Sequence, residues 1–376
     1  MKKQNSHRNW LVLILIMASI SVNAQFNPSP TLKIGDPAPP LTVNAWVRGE
    51  PVTQFEKGEV YVMDFWATWC GGCINSFPHI SAIAQKYEGR VHFFSVDSYE
   101  DIDQKKGVDP VKKMTEFLKT PQGQRLTLDV GVDSTDNRMF NSWIKPLRRA
   151  GFPTTFVIDQ EGKIAWVDVN LDHLDWVLGQ VLSGTWDCEK AAAVMIQRDA
   201  LEDMMIKIFQ TEGDDQMELY HELLAAVDAF ISRFPDRKDA AAFYKLMALL
   251  ELDPEKVPEL LEEMAANPLS RYINLADAAG LTLMEEGLSK RHYEAVAKVQ
   301  ERLLLNEFPV PGRDGKSVPA YESLADTYAK AGNYPMAKES IEKAIALAMN
   351  QGASEEEITK LKGTLDSYVK KERSIE

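Results

Sequence analysis

Hydrophobic and polar positions follow two different patterns along this chain. From about Thr31 to Gly184, short apolar runs alternate with amphipathic stretches. Glu59-Val60-Tyr61-Val62-Met63-Asp64-Phe65-Trp66 is dense in β-branched and aromatic residues and lacks the polar alternation of a half-exposed strand. It predicts a buried central strand. Val91–Asp97 predicts a second strand and Leu126–Val132 a shorter third. Between the first two, Ile74, Phe77, Ile80, Ile83, Ala84 and Tyr87 recur at helical spacing, with Gly89 as the stop. Pro78 lies inside that helix, so a kink is expected near its start. Pro110–Leu118 and Asn137–Ile144 predict helices. Phe156–Asp159 and Lys163–Val167 predict strands joined by a tight turn at Gln160-Glu161-Gly162. Leu171–Leu182 predicts a closing helix. Strands with flanking helices make an α/β sandwich.

After Ser183-Gly184-Thr185-Trp186-Asp187 the pattern becomes helical to the end, with breaks at Gly213, Pro235, Pro254, Pro268, Gly287, Pro309 and Gly332. Tyr321, Leu324, Ala325, Tyr328, Gly332, Tyr334, Ala337, Ile341 and Ala344 sit at the spacing of a tetratricopeptide helix–turn–helix. Leu275–Glu286 and Tyr293–Leu304 read as a degenerate copy. A single repeat cannot bury its own face, so a repeat-like array over 185–376 is expected, with a generic helical bundle as the alternative.

The chemistry concentrates at Trp69-Cys70-Gly71-Gly72-Cys73, where the central strand gives way to the helix. A cysteine at a helix N-terminus meets unpaired N–H groups and the positive end of the helix dipole, and both favour its thiolate. A second thiol three residues on is close enough to resolve a mixed disulfide made by the first. Strand–CxxC–helix–strand is the context that points to redox chemistry. Half of a structural zinc site is the competing reading. Zinc needs four ligands, and with 3 Cys and 6 His the chain offers no second CxxC and no His pair at ligand spacing. No metal is expected, and no cofactor beyond the Cys70–Cys73 pair itself.

Lys2, Lys3 and Arg8 precede an apolar run from Trp10 to Val22, and Val22-Asn23-Ala24 offers a small-residue cleavage point. Residues 1–24 therefore read as a signal peptide, with an uncleaved anchor as the alternative. Residues 25–30 follow as a short linker. Export would place the thiols where disulfides persist. The formal charge of −14 becomes −17 without the leader's three basic residues. Nucleic acid and anionic lipid are thereby disfavoured as main partners.

Taken together, residues 31–184 resemble the thioredoxin superfamily, and within it the exported TlpA-like thiol-disulfide oxidoreductases. The residues that carry the resemblance are the redoxin-type lead-in Lys33-Ile34-Gly35-Asp36-Pro37-Ala38-Pro39, the strand and motif Val62 to Cys73, Pro78, and Gly151-Phe152-Pro153-Thr154-Thr155-Phe156-Val157-Ile158-Asp159. The resemblance implies a thioredoxin-like domain over 31–184, followed by the helical domain at 185–376. It also implies a cis Phe152–Pro153 bond facing the thiols, which leaves backbone to pair with an extended substrate. Three departures stand out. The dipeptide between the cysteines is Gly71-Gly72 rather than Gly-Pro. Ser76 stands where many relatives carry Glu. Asp64 takes the place of thioredoxin's buried carboxylate.

The implied mechanism has Cys70, exposed and partly ionised, attack a client disulfide while Cys73 resolves. Asp64 takes up the Cys73 proton. Trp69, Gly151, Phe152 and Pro153 form the substrate surface. The partners expected are client proteins with disulfides or thiols and an upstream electron donor, a membrane thiol-redox protein. Contacts through 185–376 would recruit clients. Two competing functions remain. One is a thiol peroxidase, whose Pro-x-x-x-Thr-x-x-Cys pattern meets Met63 and Ala67 here. The other is a non-catalytic scaffold acting through the helical half. Cys188, the third thiol, reads as a small core residue, with a further redox partner as the sharper alternative.

Overall fold

The computed structural model describes residues 25–26, 30–100, 109–305 and 316–374. The expected signal peptide lies outside the described residues, as do residues 27–29 of the expected linker. The chain forms two compact units divided between Ile196 and Gln197.

The first unit is built on strands β1 (Gln25–Phe26), β2 (Ala45–Arg48), β3 (Tyr61–Trp66), β4 (His92–Asp97), β5 (Asp129–Val132), β6 (Arg149–Ala150), β7 (Thr154–Ile158) and β8 (Ile164–Asp168). β1 pairs with β6. The other six form one mixed sheet in the order β2-β5-β4-β3-β7-β8. β3 is central, and all six of its residues are buried, as its unbroken apolar run predicts. It runs parallel to β4 and antiparallel to β7, setting Trp66 opposite Asp97 and Asp64 opposite Thr155.

Helix α1 (Gly71–Lys86) connects β3 to β4, so its N-terminus lies at the carboxyl end of the central strand, where α/β sites form. It runs on through Pro78, and Gly89 makes the expected left-handed exit at φ 72°. Side chains alternate across β3. Trp66 stands edge-on to Phe77 of α1, with ring centroids 4.8 Å apart. Asp64, two residues earlier, shares that face. Phe65 points the other way, to Phe156 and Trp143. The Pro-rich lead-in runs against β8, where Gly35 N–H donates to the Ile164 carbonyl and Ile164 N–H to that of Asp36.

α2 (Pro110–Phe117) and α3 (Leu174–Leu182) form close to their predicted places. The stretch 137–144 is helical from Arg138, as its pattern predicts, but the helix is not α-helical throughout. Asn137 adopts φ 55°, and the chain then makes a π-helical turn over Phe140–Ile144. The Asp133 carboxylate accounts for this, because it accepts the Met139 and Phe140 N–H groups and caps the turn there. β2, which no clear alternation announced, is an edge strand. Among the described residues it pairs only with β5, slips register between Trp46 and Arg48, and leaves all four residues half-buried.

From Cys188 onward the described residues are helical: α4 (Cys188–Gln210), α5 (Asp214–Arg233), α6 (Asp239–Leu252), α7 (Val257–Ala266), α8 (Tyr272–Leu283), α9 (Lys290–Leu304), α10 (Val318–Ala331), α11 (Tyr334–Asn350) and α12 (Glu355–Arg373). In α10 and α11, Leu324, Ala325, Tyr328, Ala337, Ile341 and Ala344 are buried in one cluster with Leu361 and Tyr368 of α12. Gly332 closes α10 at φ 83°, and the Asn333 side chain accepts the Met336 N–H to open α11.

Candidate active site

Cys70 is the N-cap of α1, with extended backbone at φ −84° and ψ 93°. Its Sγ accepts the Cys73 N–H at 3.2 Å. The two Cα atoms are 5.3 Å apart and the sulfurs are joined in a disulfide. A thiolate at Cys70 would face the same Cys73 N–H and the positive end of the helix dipole. Gly71 and Gly72 are exposed, and a side chain at either would meet open space. Cys70 itself is less open than the sequence reading expects. It retains 7% of its surface and Cys73 none, because both belong to the core between sheet and helix. Ser76 turns back into the helix, and its hydroxyl donates to the Cys73 carbonyl at 2.8 Å.

Asp64 is 1% exposed. One oxygen accepts the Thr155 hydroxyl at 2.6 Å, and Oδ2 has no hydrogen-bond partner among the described residues. Burial pushes this carboxyl up to about 7, with the Thr155 bond acting in the opposite direction. Near neutral pH it can therefore hold or release a proton, on the face of β3 that α1 covers.

The Phe152–Pro153 bond is cis. The Phe152 ring centroid lies 5.9 Å from that of Trp69, which brings this loop beside the cysteine motif. The Gly151 carbonyl accepts the Thr154 hydroxyl at 2.7 Å, bracing the loop from within. Trp69, Gly151, Phe152 and the cysteines thus converge at one end of the sheet, with Asp64 beneath α1.

Several residues at this end escaped the sequence reading. Glu100, 8% exposed, accepts the Thr68 hydroxyl at 2.6 Å and also the Thr68 backbone N–H, and it pairs with Lys113. It thereby grips the turn two residues before Cys70. Burial pushes the Glu100 carboxyl up, but contacts with Asp97, Lys113 and Thr68 outweigh it and hold the group below its ordinary value. Asp97 is fully buried. Burial first, then neighbouring Glu100 and Asp133, push its carboxyl well up, with only Lys113 opposing. An acidic residue closing a buried strand was the one available signal. Nothing in the sequence ties Glu100 to Thr68, 32 positions away.

Cys188 is half-buried against the core of the first unit. Burial, followed by the nearby Asp159 carboxylate, pushes its thiol up, opposite to the shift a reactive cysteine needs.

A mixed sheet, a disulfide whose first cysteine caps the helix that follows its central strand, and a cis-proline loop beside that cysteine pair define a thioredoxin-like redox protein. The Redoxin family model matches residues 33–175. Protein FixW of Rhizobium leguminosarum is 29% identical over 157 residues, covering 42% of this chain and 69% of that protein. A thioredoxin of Coprinus comatus is 31% identical over 82 residues, 21% of this chain and 74% of that one. Thiol-disulfide oxidoreductase ResA of Bacillus subtilis is 28% identical over 159 residues, 42% of this chain and 79% of that one. The chain belongs to the thioredoxin family and is a thiol-disulfide oxidoreductase. The helical residues beyond 188 lie outside the Redoxin match.

Proposed function

We propose that this is an exported protein thiol-disulfide oxidoreductase that reduces or isomerises disulfides in client proteins through Cys70 and Cys73. The Cys70 thiolate attacks a client S–S bond, a mixed disulfide forms, and one client sulfur leaves as a thiolate that takes a proton from solvent. Cys73 gives its proton to Asp64 and attacks the Cys70 sulfur. This releases the second client sulfur and closes the Cys70–Cys73 bond. Two electrons have passed to the client, and an upstream dithiol donor, a membrane thiol-redox protein, returns them. Trp69, Gly151, Phe152 and Pro153 hold the client segment. The observation that carries this reading is the Cys70 sulfur capping α1 while bonded to Cys73 beside the Phe152–Pro153 loop.

Export rests on the leader pattern of residues 1–24. No helix among the described residues is long and apolar enough to cross a membrane. The helical unit raises the effective concentration of chosen clients near the thiols. Reduction of insulin disulfides by pre-reduced protein tests the assignment. Cys70→Ser is expected to abolish it, and full activity in that variant would refute the assignment.

A further inference from the structure

Beside the disulfide, four aromatic side chains form a closed circuit. Trp69 and Phe152 lie 5.9 Å apart between ring centroids. Phe152 meets Phe140 edge-on at 5.9 Å. Phe140 stacks on Tyr99 at 4.7 Å with 26° between the planes. The circuit closes where Trp69 Nε1 donates to the Tyr99 carbonyl at 3.0 Å. Phe152 is buried, but Trp69, Tyr99 and Phe140 are each half-buried. These three rings pack against the core yet each leaves part of its surface open, and Trp69 adjoins Cys70 in the chain.

The open pair is held from below. Asp133, 2% exposed, accepts the Ser98 hydroxyl at 2.6 Å and the Phe140 N–H at 3.0 Å on one oxygen. Its other oxygen takes the N–H groups of Ser134 and Met139. One buried carboxylate thus ties the residue before Tyr99 to Phe140 itself and fixes the stack. Tyr99 sits at φ 57°, in the left-handed region that bulky residues avoid and that persists only where the surroundings over-determine it. A half-exposed ring held in a costly conformation points to a binding role more than a packing one.

We propose that Tyr99 and Phe140 are specificity-determining residues that, with Trp69, form a preformed aromatic platform for an extended client segment bearing an aromatic residue next to its reacting cysteine. The inference rests on the Cys70–Cys73 assignment above. The four rings carry no charge, and the neighbouring carboxylates Glu100 and Asp133 are buried and engaged in hydrogen bonds. Among the described residues the platform itself therefore offers ring contact rather than charge. Rigid aromatic anchors bind at low entropic cost.

Pre-reduced protein is mixed in single-turnover reactions with three disulfide peptides that are identical except for Trp, Gly or Lys beside the cysteine. The second-order rate constant is expected to favour the Trp peptide over the Gly peptide by about tenfold, the factor that one good ring contact supplies. Tyr99→Ala and Phe140→Ala should each bring that ratio close to one. Phe140→Leu keeps the apolar bulk without the stack and should give an intermediate ratio, which serves if Phe140→Ala does not fold. A ratio near one in the unaltered protein, a ratio preserved in the variants, or a preference for the Lys peptide would each overturn the proposal. Failure to reduce any of the peptides would instead overturn the Cys70–Cys73 assignment, and the proposal with it.

Discussion

Replacing Asp64 with Asn tests the buried carboxyl beneath α1. The folded protein holds this group at about 7 against an ordinary value of 3.8. That is roughly three units, each worth about 1.36 kcal/mol, or about 4 kcal/mol in all. The native state keeps a proton that the unfolded chain gives up, so stability from this group is intact below about pH 4 and is lost as pH rises towards 7. Asn cannot ionise, and its Oδ1 can still accept the Thr155 hydroxyl. Asp64→Asn should therefore match the unaltered protein near pH 3 and exceed it by about 4 kcal/mol at pH 8. Urea unfolding of the oxidised proteins, followed by tryptophan fluorescence, measures the gap. Every tryptophan lies between Trp10 and Trp186, so helical residues beyond 188 contribute no signal. Asp97 shifts in the same direction but is common to both proteins and cancels in the difference. A gap that stays flat with pH, or a variant less stable at pH 8, would refute the argument.

Glu100→Gln removes the charged acceptor of the Thr68 turn and leaves Lys113 without its anion, so the same fluorescence assay at pH 7 should show a loss of about 1.5–3 kcal/mol. No loss would mean that the grip on Thr68 is incidental. Gly332→Ala places a Cβ on left-handed backbone and within 3.3 Å of the Lys290 amine. Circular dichroism at 222 nm should report the helical transition weakened by about 1 kcal/mol while tryptophan fluorescence is unchanged.

How much was legible in the sequence depended on how local the cause was. The run 59–66 announced a central strand because burial on both faces leaves no polar alternation. Cys70-Gly-Gly-Cys73 carried its own spacing, and the helix after it showed its apolar face directly. Phe152–Pro153 could be placed only because the surrounding motif resembled a known family, since a lone proline before a strand says little. The helix at 137–144 was legible as a helix but its π-helical turn was not, because Asp133 sets that conformation and no helical periodicity reveals it. Edge strand β2 was missed for a related reason: one partner and four half-buried residues leave a weak pattern. Glu100, Tyr99 and Phe140 became visible only once β4 and the turn after β5 came together at one end of the sheet. Contacts across tens of residues leave no trace in spacing.

The central claim is that Cys70 attacks and Cys73 resolves. Trapping tests it most directly. Cys73→Ser, pre-reduced and mixed with a disulfide-bearing client such as insulin, should accumulate a mixed disulfide that is stable on a non-reducing gel. Mass spectrometry should map the bond to Cys70, and the adduct should disappear in the Cys70→Ser, Cys73→Ser double variant. An adduct through Cys188, or one that forms equally well without Cys70, would contradict the account.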